Sequence, residues 1–163
     1  AQGLSNLVWA FSTMQVAQPS LFAAVAAEAP RKMNTFLPQH LSGIVRSFSI
    51  ANEEAPKLFD AVALEACVKI GQFNAMDLAG TTFAFAKMRI SAPRLFEEVA
   101  DAAPKVISSF NAMSLANMVW AYASAKVKDA ALFEVVAEEA VGKVALCTHH
   151  DMANIVWAFA KAG

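Results

Sequence analysis

The chain has 163 residues, of which 57% are hydrophobic and 17% charged, with a formal net charge of -1 at pH 7. That apolar balance requires much of the chain to be buried in itself or in partners, and the charge excludes a general electrostatic pull toward nucleic acid or anionic membrane, leaving only local patches. Cys67 and Cys147 are too few for a disulfide framework and suit a reducing compartment.

The first predicted helix carries "LSNLVWAFSTM" from Leu4. No charged residue precedes Glu28, but Gln2, Asn6, Gln15, Gln18 and Pro19 interrupt the stretch. A membrane span needs ~20 mostly apolar residues in a row, so membrane insertion is not expected. A second helix follows from Pro19 with "PSLFAAVA". The opening phrase then returns as "LSGIVRSF" at Leu41, "LAGTTFAF" at Leu78, "LANMVWAY" at Leu115 and "MANIVWAF" at Met152. The proline-led phrase returns as "PKLFDAVA" at Pro56, "PRLFEEVA" at Pro93 and "AALFEVVA" at Ala130. Every step is 37 residues, without insertion or deletion. A fixed period of this size is the signature of a solenoid.

The unit reads as two helices. The outer one starts at the proline, whose missing N–H is harmless in a first turn. It is acidic early (Asp60, Glu97, Glu98, Glu134) and basic late (Lys69, Lys105, Lys143), which complements the helix dipole. Pro30 and Pro104 fall inside this helix, so those two copies should kink or end early. The inner helix has cap signals: Asn74 with Asp77 three residues on, flanked by Phe73 and Leu78, then Asn111, then Thr148. It also carries small residues (Ser42, Gly43, Ala79, Gly80, Ala116, Ala158) that permit close backbone approach. The expected fold is all-α, a solenoid of about nine helices with a long concave face. Its boundaries are a half repeat at 1–18 and repeats at 19–55, 56–92, 93–129 and 130–163. Neither end has the polar face of a terminal cap. The chain is therefore expected to continue a longer array or to be covered by partners.

One column of the inner helix is the main functional signal. It reads Trp9, Arg46, Phe83, Trp120, Trp157. Three residues earlier stand Asn6, Gly43, Gly80, Asn117 and Asn154, on the same stripe. One reading packs indole and amide between neighbouring repeats. The other is a ladder on which unstacked RNA bases rest, with amides and lysines at base edges and phosphates. Arg46 favours a wet column, because an unpaired buried guanidinium is costly, and Gly43 would leave it room. A basic strip at the inner-helix ends, Lys87, Arg89, Lys126, Lys128 and Lys161, fits either phosphate contacts or the helix dipole.

Chemistry is not expected. No phosphate-cradling loop is visible, Cys147, His149 and His150 fall short of a metal set, and His40 is out of phase with them. Adjacent acids such as Glu97 and Glu98 or Glu138 and Glu139 do not face one another on a helix. The chain reads as a non-enzyme without metal or cofactor.

The phrases "LANMVWAYASAK" and "MANIVWAFAKAG" resemble the end of the octotricopeptide repeat unit, close to "LANLLWALAKLG". The uniform 37-residue step resembles its heptatricopeptide relative more closely. That resemblance implies an RNA-binding protein of chloroplast or mitochondrion. Such a protein acts in transcript processing, stability or translation, or with organellar ribosomes. The alternative is a scaffold subunit of an organellar complex that binds other proteins without touching RNA.

Overall fold

Pro19, Pro56 and Pro93 each occupy the first turn of a helix, where a fixed φ helps and the absent N–H has no partner to lose. Asn74, Asn111 and Thr148 cap the helices that follow. Their side chains accept the backbone N–H of Asp77 at 2.9 Å, Ser114 at 2.8 Å and Asp151 at 3.2 Å. The computed structural model describes all 163 residues. These starts give α1 (Gln2–Thr13), α2 (Pro19–Glu28), α3 (Pro38–Ala51), α4 (Pro56–Lys69), α5 (Ala75–Lys87), α6 (Pro93–Ala102), α7 (Ala112–Ala125), α8 (Ala130–Lys143) and α9 (His149–Ala162), with no strand.

The odd-numbered helices form one continuous layer. The most extensive contacts run α1 to α3, α3 to α5, α5 to α7 and α7 to α9. The even-numbered helices lie outside and touch one another far less. Each outer helix is clasped to the next inner one by an edge-to-face aromatic pair. These are Phe22–Phe48, Phe59–Phe85 and Phe96–Tyr122 at 5.0 Å and Phe133–Phe159 at 5.1 Å. Such pairs add about 0.5–1.5 kcal/mol beyond the area they bury. Tyr122 also donates its hydroxyl to the Phe96 carbonyl at 2.6 Å, and burial pushes its phenol far above the ordinary range.

The outer layer alternates, as the positions of Pro30 and Pro104 predict. α2 and α6 stop after 10 residues and continue as 3-10 turns over Ala29–Thr35 and Ala103–Ser109. Pro30 and Pro104 are the cause, and Lys32 and Val106 leave helical geometry at φ -123° and -126°. α4 and α8 run for 14 residues and end in lysines. Lys69 donates to the Asn34 and Phe36 carbonyls at 2.9 and 2.7 Å, and to Glu65 at 2.7 Å. Lys143 does the same with Ser108, Phe110 and Glu139. These two lysines therefore cap the preceding broken turn as well as complementing their own helix ends.

Candidate functional site

Each of the first four inner helices ends in one residue with a left-handed backbone: Gln15 (φ 53°), Asn52 (55°), Arg89 (56°) and Lys126 (58°). The next N–H in each case closes back on the carbonyl five residues earlier, as Ile90 does to Phe85 and Val127 to Tyr122, both at 3.0 Å. Glycine is the usual occupant of such a position, since a Cβ there costs energy. At the ends of α5 and α7 the occupants are cations instead.

Those two cations line a cleft of about 490 Å³ between the C-terminal ends of α5, α7 and α9. Lys87 and Lys161 join them, Trp120 and Trp157 form an aromatic wall, and Ala86, Ala123 and Ser124 supply the small residues that leave the space open. No acidic residue lines it. None of its four cations makes an ion pair, whereas all five ion pairs of the chain join residues three or four apart on the outer helices and their 3-10 turns. The net charge of -1 thus sums an outer layer with an excess of acids and an inner layer whose positive charge is concentrated at one edge. A second hollow, about 660 Å³, opens beside it between the ends of α5 and α7, again with Arg89 and Lys126 on its wall.

The aromatic column is continuous only in its second half. Phe83 and Trp120 rings lie 4.9 Å apart and Trp120 and Trp157 6.4 Å apart, tilted by 40° and 32°. Neither gap admits a base between two rings. A ladder taking one base per repeat is therefore closed at Phe83 and Trp120. Trp157, 44% exposed, keeps the face turned away from Trp120. Trp9 is 59% exposed at the other end of the layer, beside exposed Asn6 and apart from the cleft. Lys128 also lies apart, in a hollow with Asp129 and Glu134. Asn154 is half-buried with its amide 3.2 Å from His150 Nε2, and Asn117 shares a small pocket with Arg46 and Phe83. The glycine opposite Arg46 is Gly80, not Gly43, whose added Cβ would meet Ser5 instead.

Sequence reasoning missed the cleft floor. Its signal was present as a column of small residues one turn beyond the aromatic one: Ser12, Ser49, Ala86, Ala123, Ala160. It also missed the left-handed column, whose members share no chemistry. His149 and His150 are exposed beside the Thr148 cap.

A profile of the family described as RNA-editing substrate-binding complex 6 protein matches residues 1–163. The chain belongs to that family. No curated protein matches the chain. Membership in the RNA-editing substrate-binding complex 6 protein family corrects the octotricopeptide and heptatricopeptide resemblance. The physical reason is that the shared phrase encodes a packing requirement. Small residues and one large aromatic per inner helix let neighbouring helices approach, and any stacked helix-pair family can meet that need. No helix is long and apolar enough to cross a membrane.

Proposed function

We propose that this chain is a non-catalytic RNA-binding component of a larger organellar assembly, and that the cleft at the ends of α5, α7 and α9 holds single-stranded RNA. The observation that carries this reading is four cations without ion pairs around Trp120 and Trp157, with no acid among them. Phosphates are the ligand that such a rim attracts, and an aromatic face with one open side stacks a single base in a sequence-tolerant way. A duplex, whose bases are already stacked, has no use for Trp157. The family description, with its reference to RNA editing and to substrate binding, agrees in chemistry with this assignment.

The test is a binding assay with a single-stranded oligoribonucleotide over a range of salt. Binding should weaken as salt rises, and Trp157→Ala should cost about 1–3 kcal/mol for one stacked base. Absence of binding, or binding indifferent to both salt and Trp157, would remove the proposal.

A second, compatible role is protein contact. The outer layer carries exposed apolar side chains one turn apart on α4, Leu64 at 68% and Val68 at 78%, and again on α8 and its following turn, Val141 and Leu146. Apolar surface on the layer away from the cleft suits other proteins of the assembly. A stable, non-associating monomer in light scattering would count against it.

A further inference from the structure

Arg46 is half-buried on α3 and has no ion pair. Its side chain crosses α5 in a trough made by Gly80. A Cβ on Gly80 would meet Arg46 Cδ at 2.6 Å and Ser42 Oγ at 3.0 Å. Asp77, the acid whose carboxyl feels the Arg46 charge, is occupied elsewhere: it is buried and accepts the Asn74 backbone N–H in a capping box. The guanidinium is thus held in place from below with an acid nearby but no direct ion pair, which leaves its donors free for a ligand's acceptors.

The groups beside it define the acceptor. A pocket of about 90 Å³ is lined by Arg46 and Gly80, by Met76 and Met113, by the ring of Phe83 and by Asn117. At that volume it is too small to enclose a whole base and offers room only for a base edge. Guanidinium donates only, so the ligand must present acceptors to it; the Asn117 amide both donates and accepts. The thioethers and Phe83 suit a flat, weakly polar ring. Every nucleobase presents an acceptor beside a donor on one edge: guanine as O6 with N1–H, uracil as O4 with N3–H, cytosine as N3 with its amino group, adenine as N1 or N7 with its amino group. The set therefore calls for the edge of a base, and pocket shape decides which fits best. Phe83 also stacks on Trp120, so the pocket joins the cationic cleft along one aromatic line.

We infer that the Arg46–Asn117 pocket is a base-reading subsite, taking the edge of one nucleobase of a strand whose phosphates lie in the cleft. This rests on the RNA-binding reading, and the experiment separates the two. Binding of the full chain is measured against oligo(A), oligo(C), an A/C oligomer carrying uridines, and one carrying guanosines. One of the four should bind about tenfold tighter than the weakest, as one well-read base edge gives, and that oligomer identifies the base. Arg46→Gln and Asn117→Ala should each reduce that preference below about twofold, weakening the preferred oligomer more than the least preferred one. Gly80→Ala keeps both polar groups and should do the same by displacing Arg46 and narrowing the pocket; an unchanged helical circular dichroism spectrum checks that each variant folds. Equal binding of all four oligomers, or a preference that survives all three substitutions, overturns the subsite and leaves the cleft assignment standing. Failure to bind any of the four overturns both.

Discussion

Replacing Arg89 and Lys126 together by glycine should make the protein more stable and a poorer RNA binder. Both residues hold left-handed backbones, at φ 56° and 58°. A non-glycine residue there costs roughly 1–2 kcal/mol relative to its right-handed form. Glycine recovers that but adds about 0.5–1 kcal/mol of unfolded-state entropy, so each site gains about 0.5–1 kcal/mol. Two sites in a chain of this size should raise the melting temperature by about 2–8 °C, at roughly 2–4 °C per kcal/mol. The same change leaves only Lys87 and Lys161 as cations lining the cleft. If each lost cation contacts one phosphate, the slope of log K against log salt should become shallower by about 0.7 per contact, about 1.4 in all. Calorimetric melting and fluorescence-anisotropy titration at several salt concentrations read the two effects separately. Gln15→Gly is the control, with the same backbone position at φ 53° but no charge and no place in the cleft, and should change stability alone. Higher stability with unchanged RNA affinity and slope would mean that the cations serve only their helix ends. Lower stability in the double variant would refute the backbone argument itself.

The alternation of the outer layer sets a matched pair of substitutions. Lys69→Met removes two carbonyl contacts and an ion pair from a side chain only 17% exposed, and should cost about 1–2 kcal/mol, measured by urea unfolding. Lys32→Met, one repeat earlier with the same acid four residues before it, loses only an exposed pair with Glu28 and should cost under about 0.5 kcal/mol; equal costs would dismiss the clip. Thr81 carries the one buried side-chain oxygen without a hydrogen-bond partner, so Thr81→Val should stabilise by about 1 kcal/mol in the same assay, and destabilisation would show that the hydroxyl has a partner. His40 accepts the Leu37 N–H at its Nδ1 and must be neutral to do so, while burial, with the N-terminal charge second, holds its pKa below 6.5. Its contribution is therefore complete above the unfolded-state pKa and lost as pH falls through the lower folded value. Melting temperatures compared between pH 7 and pH 5 should fall less for His40→Ala than for the parent chain.

The sequence made the helix starts and the two-helix unit legible because each depends on residues within a few positions of one another. Proline at a first turn, Asn74 with Asp77, and Pro30 with Pro104 act locally, and the structure uses each as its chemistry requires. What escaped depends on the offset between neighbouring helices. Arg46 lies on Gly80 of the next inner helix and not beside Gly43 of its own, a displacement that no spacing within one helix reveals. The tilt that closes Phe83 against Trp120 is likewise a property of two packed helices. The early ends of α2 and α6 were legible from Pro30 and Pro104, but the lysines of α4 and α8 that clasp those broken turns were not, because each contact joins two repeats. Lys69 matches Lys143, and Pro30 matches Pro104, only at two steps. Low net charge also misled, since it sums an acid-rich outer layer with an inner edge that is locally basic.

Photo-crosslinking a 4-thiouridine oligoribonucleotide to the full chain, followed by mass spectrometry of the adducts, tests the cleft most directly. Adducts should fall on Trp157 and Trp120 and on residues at the ends of α5, α7 and α9, and should fade as salt rises. Adducts confined to the outer helices α2, α4, α6 and α8, or none above a bovine serum albumin control, would contradict the assignment.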